Sequence, residues 1–89
     1  MMKMIIAILH NTDGESTLEA LTQADFRVTR VAATGGFLRR GNVTLLMGVD
    51  EKQVSDAIQI LREHSAPAID PGQKRATVFV LNVDQFEQI

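Results

Sequence analysis

At 89 residues, with 45% hydrophobic and 22% charged side chains, the chain suffices for one small folded domain, and the absence of cysteine excludes disulfides, thiolate catalysis and thiolate-bound metal. A net charge of −2 offers a long polyanion no general attraction, so a nucleic-acid polymer is not an expected partner. The longest apolar run, residues 4–9, is too short to span a bilayer or to form a signal-peptide core; the cytoplasm is the expected location and no membrane partner is expected.

Residues 3–9 read as a strand of β-branched and other apolar residues, ended by the turn-like string His10-Asn11-Thr12-Asp13-Gly14. Ser16 and Glu19 have the spacing of a capping box, and Leu18, Leu21 and Ala24 share one face of the helix predicted to follow and to end at Asp25. Residues 27–33 and 43–49 read as two strands joined as an antiparallel hairpin. Asp50 is placed to cap a second helix, whose Val54, Ala57, Ile58 and Leu61 form one apolar stripe, with His64 and Ser65 at its end. Residues 76–83 read as a last, almost wholly apolar strand, followed by the tail Asp84-Gln85-Phe86-Glu87-Gln88-Ile89.

The order βαββαβ, without repeat or linker, predicts a single α+β domain over residues 1–89: a ferredoxin-like, four-stranded antiparallel sheet with both helices on one face. Such a sheet ordinarily alternates apolar and polar residues. Here Ile5-Ile6-Ala7-Ile8, Leu45-Leu46-Met47 and Val78-Phe79-Val80-Leu81 are apolar on both faces, which predicts that sister subunits cover the helix-free face in a closed oligomer.

Between the second and third strands lies Thr34-Gly35-Gly36-Phe37-Leu38-Arg39-Arg40-Gly41-Asn42. Its glycines allow backbone N–H groups to converge on an anion, Arg39 and Arg40 can add charge-assisted bonds to phosphate, Phe37 offers a face to a nucleobase, and Asn42 can pair with an adenine edge. No acid occurs between Asp25 and Asp50, whereas Arg27, Arg30, Arg39 and Arg40 fall there, a local cationic patch suited to a small anion. The loop lacks the Gly-Lys-Ser/Thr ending of a P-loop and follows no dinucleotide-binding pattern. Two readings therefore stand on the residues alone: an adenine-nucleotide site, or an interaction loop that inserts Phe37 into a neighbour. His10 and His64 lack the paired spacing of metal ligands, and turn and cap propensity accounts for Asp13 and Glu15, so no metal, no cofactor and no catalytic residue is expected.

The run from Phe26-Arg27-Val28-Thr29 through Thr34-Gly35-Gly36-Phe37-Leu38-Arg39-Arg40-Gly41-Asn42, with Thr44 and Gly48-Val49, resembles the cyclic di-AMP receptor proteins of the nitrogen-regulatory PII-like superfamily. The opening Met2-Lys3-Met4-Ile5-Ile6 and the closing Ala76-Thr77-Val78-Phe79-Val80-Leu81 are similar to that family as well. The resemblance implies a non-catalytic signalling homotrimer that binds cyclic di-AMP as a regulatory ligand between neighbouring subunits and acts on a protein target that it does not identify. It further implies a pocket built from Arg27, Thr29, Gly36, Phe37, Leu38, Asn42, Gly48 and Gln88; the loop reading adds Gly35 and Arg39. Two features differ from the receptors: Asp25 replaces a typical asparagine, and only residues 65–75 separate the second helix from the last strand where the receptors carry a long loop.

Overall fold

A computed structural model describes residues 1–31, 41–65 and 76–89. Strand β1 (Met2–His10) leads directly into helix α1 (Asn11–Gln23); β2 (Val28–Val31) and β3 (Asn42–Asp50) follow, then helix α2 (Val54–His64) and β4 (Ala76–Asn82). The strands form one antiparallel sheet in the order β2-β3-β1-β4. With two helices this is the ferredoxin-like α+β fold predicted from the order of elements.

The core lies between the helices and one face of the sheet. Alternate residues of the two central strands, Ile5, Ala7 and Leu9 on β1 and Val43, Leu45, Met47 and Val49 on β3, are buried against Leu21 of α1 and Ala57 and Leu61 of α2. Val54 joins the stripe predicted for α2, while Ile60 takes part beside it and Ile58 is only half-buried. Asp50 caps this region as expected. Its carboxylate accepts from Lys52 N–H at 3.0 Å and Gln53 Oε1 accepts from Asp50 N–H at 3.2 Å, a capping box that opens a single 3₁₀ turn, Glu51–Gln53, ahead of α2. The Lys52 backbone bond holds the Asp50 carboxyl below its ordinary pKa against an opposing desolvation, with smaller help from the chain's amino group and the Lys52 ammonium.

The start of α1 corrects the sequence reading. Of the turn predicted at residues 10–14, His10 ends β1 and residues 11–14 are the first turn of the helix, and Ser16 and Glu19 form no capping box; Ser16 Oγ instead donates to Asp13 O at 3.5 Å. Two tertiary contacts override the local signal. Asn11 N–H donates to Gly41 O at 2.7 Å, which satisfies a first-turn donor from the turn before β3, and Gly14 lies so close to β3 that a Cβ there would stand 2.8 Å from Val43 Cγ1. The other end matches the expectation. Asp25 stands at φ +70°, its N–H donates to Thr22 O at 3.1 Å, and Phe26 N–H donates to Leu21 O at 3.0 Å, which together make a Schellman motif with Leu21 and Phe26 both in the core.

Among the described residues no helix packs on the second face of the sheet. There Ile6 pairs with Leu46 and with Phe79, and Met4 with Gly48 and with Leu81; Phe79 is 50% and Leu81 46% exposed. The apolar pattern on both faces that the sequence predicts is therefore present, with the helix-free side open to solvent in the single chain. Among the described residues no helix is long and apolar enough to cross a membrane.

Candidate functional site

The helix-free face carries a cavity of about 690 Å³ at the end of the sheet where β3 runs out toward Asp50. Its floor is sheet: Met2 and Met4 from β1, Leu46 and Gly48 from β3. One wall is Thr29 of β2 with Arg27, which immediately precedes that strand. The opposite wall is the segment after β4, contributing Val83, Gln85, Phe86 and Gln88. This segment has no regular structure but is rooted on β1 through Val83 N–H donating to Met2 O at 3.1 Å.

The strand alternation explains why these side chains meet. On β3 the even-numbered residues point away from the helices, so Leu46 and Gly48 face the cavity side while Leu45 and Val49 enter the core. On β2 Thr29 lies opposite Leu46, whereas Arg30 lies opposite core-facing Leu45 and turns to the helix side, where its Nη2 donates to Asn11 Oδ1 at 3.4 Å. The cationic patch read from the sequence is thus divided: Arg27 lines the cavity and Arg30 does not.

Gly48 is the most telling member of the floor. It sits within a nine-residue strand, where glycine sacrifices packing and backbone entropy, and among the described residues a Cβ built on it meets nothing within 4 Å. Neither close packing nor a left-handed backbone requires glycine here. What it leaves is room, directly on the cavity floor.

Chemically the described lining residues combine thioether and aliphatic surface with one guanidinium (Arg27), one hydroxyl (Thr29), two carboxamides (Gln85 and Gln88) and one aromatic ring (Phe86), with no carboxylate among them. A flat, largely apolar group with hydrogen-bonding edges fits the floor and the amides, and an anionic group fits Arg27.

Of the residues singled out in the sequence, Arg27, Thr29, Gly48 and Gln88 line this one cavity although 61 positions separate the first from the last. Asn42, half-buried at the far end of β3, does not: six residues separate it from Gly48, roughly 20 Å of extended strand. Gly35, Gly36, Phe37, Leu38 and Arg39 lie outside the described residues. The sequence reading missed Met2, Met4, Leu46, Met47, Val83, Gln85 and Phe86 as site residues. Strand alternation carried a signal for the first three; the three after β4 carry none, because their segment has no periodicity. His10 and His64 are exposed, and among the described residues no cluster of metal-ligating side chains occurs.

A family model described as cyclic-di-AMP receptor matches residues 2–70. Among solved structures, the chain is similar to a protein described as functionally unknown from Pediococcus pentosaceus, with 32% sequence identity, a TM-score of 0.78, and coverage of 99% of this chain and 97% of that one. The matched stretch holds most of the sheet and both helices, and the similarity of the solved structure extends through β4 and the tail. The chain belongs to the cyclic-di-AMP receptor family.

Proposed function

We propose that this protein is a non-catalytic cytoplasmic receptor that binds cyclic di-AMP in clefts completed by neighbouring copies of a homotrimer and passes the bound state to a protein target. The observation that carries this reading is Gly48, a strand glycine on the floor of the cavity whose absent side chain is explained by neither packing nor backbone conformation. Family membership supplies the ligand class. In this reading Arg27, with the Gly35 and Gly36 amides and Arg39 from the adjoining loop, holds phosphate; Thr29 and Asn42 read ribose or an adenine edge; Phe37 and Leu38 cover the base; Gln88 closes the site. The ligand acts as a signal rather than as a cofactor.

The separation of Asn42 from Gly48 supports a cleft shared between copies. A ligand small enough for the cavity contacts both ends of β3 only where one subunit's strand end adjoins the opposite end of its neighbour's. The apolar helix-free face, which a monomer exposes, supports the same arrangement.

Titration calorimetry with cyclic di-AMP, ATP and cyclic di-GMP tests the proposal. Saturable heat with cyclic di-AMP is expected, and Gly48→Leu abolishes it while retaining or raising thermal stability, because leucine suits a strand better than glycine does. Absence of heat with cyclic di-AMP at near-millimolar concentration rejects the proposal; heat with ATP alone reassigns the site to another adenine nucleotide.

A further inference from the structure

Phe86 has no function in the reading above, and its setting calls for one. Of the Phe residues the structure describes, Phe26 is buried in the core and Phe79 lies on the sheet face, while Phe86 belongs to the irregular segment after β4 and is 60% exposed. An aromatic ring left that open in a segment without helix or strand gains little from folding. Yet the segment is not loose at its root: the Val83 to Met2 backbone bond fixes where it leaves the sheet, and Phe86 together with Gln85 and Gln88 forms the cavity wall opposite Arg27. Phe86 is the one aromatic ring among the described lining residues, and it is flanked by two carboxamides, of which Gln85 donates from Nε2 to Glu87 Oε1 at 3.0 Å and keeps its carbonyl oxygen and second N–H to meet the edge of whatever stacks on the ring.

We propose that Phe86 is a base-stacking residue of this site, so that the segment after Val83 recognises a purine while the Arg27 and Thr29 wall takes the phosphate and ribose. The inference rests on the nucleotide-binding reading and adds a recognition element that lies beyond the stretch matched by the family model. The two walls divide the chemistry. A ring and amides on one side suit a neutral heterocycle; a guanidinium and a hydroxyl on the other suit an anionic sugar phosphate. Phe86→Leu then retains apolar bulk but loses the flat face, and Phe86→Tyr retains both.

Calorimetry with cyclic di-AMP is run on the wild-type chain, Phe86→Leu and Phe86→Tyr, with oligomer mass measured by light scattering. Phe86→Leu is expected to weaken binding about 5- to 150-fold, Phe86→Tyr to change it less than about threefold, and the mass to stay constant. Phe86→Trp adds a direct readout. The chain has no Trp or Tyr, so the new indole reports alone, and its emission is expected to be quenched on titration. Wild-type binding with unchanged affinity in Phe86→Leu, or Trp emission indifferent to bound ligand, overturns the role of Phe86 and leaves the nucleotide site standing. A fall in oligomer mass for Phe86→Leu overturns it too, by making the ring a subunit contact. No wild-type binding removes the nucleotide reading and this inference together.

Discussion

Asp25 holds a left-handed backbone at φ +70° in the position where a helix-terminating motif favours glycine or asparagine. Its side chain is exposed and does not line the cavity. The difference from the asparagine typical of the receptors it resembles is therefore an exchange between two residue types that tolerate this conformation, and it places no carboxylate in the cavity lining. Asp25→Gly is expected to stabilise the fold by about 0.5–1 kcal/mol, seen as a higher midpoint in thermal or urea unfolding, with nucleotide affinity unchanged; Asp25→Val is expected to lower the midpoint. The sequence places Asp25 at the helix end but not its sign of φ, which comes from the bonds to Thr22 and Leu21. Gly48 illustrates the converse. Its identity is plain in the sequence, but its significance depends on the empty space above it, which only the packed sheet defines.

Among the elements, α1 shows most clearly how packing overrides local preference. Asn11-Thr12-Asp13-Gly14 reads as a turn, and that reading is sound for an isolated peptide. In the folded chain the same residues begin the helix because Gly41 O meets the Asn11 N–H and because Gly14, lacking a side chain, lets the first turn lie against Val43. Gly14→Ala improves intrinsic helix propensity by about 1 kcal/mol, but its Cβ would press on a β-branched core side chain, an overpacking cost of about 1–3 kcal/mol. The expected net effect is destabilisation, and Val43→Ala in the same chain relieves it. A double-mutant cycle by urea denaturation checks this: additive effects would mean that the two residues do not press on one another. The order of strands and the stripe on α2 are legible in the sequence because they depend on period alone. Residues 27–33 are only partly so, since β2 closes at Val31 in the described structure and residues 32–40 lie outside it.

For the molecule as a whole, the sheet has a core-facing side that the helices cover and a second side that remains apolar. Met4, Ile6, Ile8 and Leu46 are half-buried there, and Phe79 and Leu81 are exposed beside them. Soluble monomers seldom leave so continuous an apolar surface bare. Under the proposed function, light scattering is expected to give three times the 9.8 kDa chain mass, and Leu81→Lys to shift the protein toward monomer and to weaken nucleotide binding with it. A wild-type monomer at micromolar concentration would remove the shared cleft. This feature was legible from the unbroken apolar strands, whereas the cavity was legible mainly in its sheet half: Arg27, Thr29 and Gly48 fall in a recognisable stretch, but of the segment after β4 only Gln88 was expected, because that segment has no periodicity and is rooted by a tertiary backbone bond at Val83.

The sheet order also sets a timetable. β1 is a central strand, with β3 on one side and β4 on the other, and the bond from the Lys3 ammonium to Asn82 joins residues 79 positions apart. During synthesis the first strand therefore emerges with Ile5, Ile6 and Ile8 exposed, gains β3 midway, and keeps one main-chain edge unpaired until β4 has been made. The nascent protein spends that interval with an apolar strand edge available to any other chain, the state from which intermediates aggregate. Ribosome-bound intermediates that include β3 but stop short of residue 76 are consequently the ones for which a chaperone matters most.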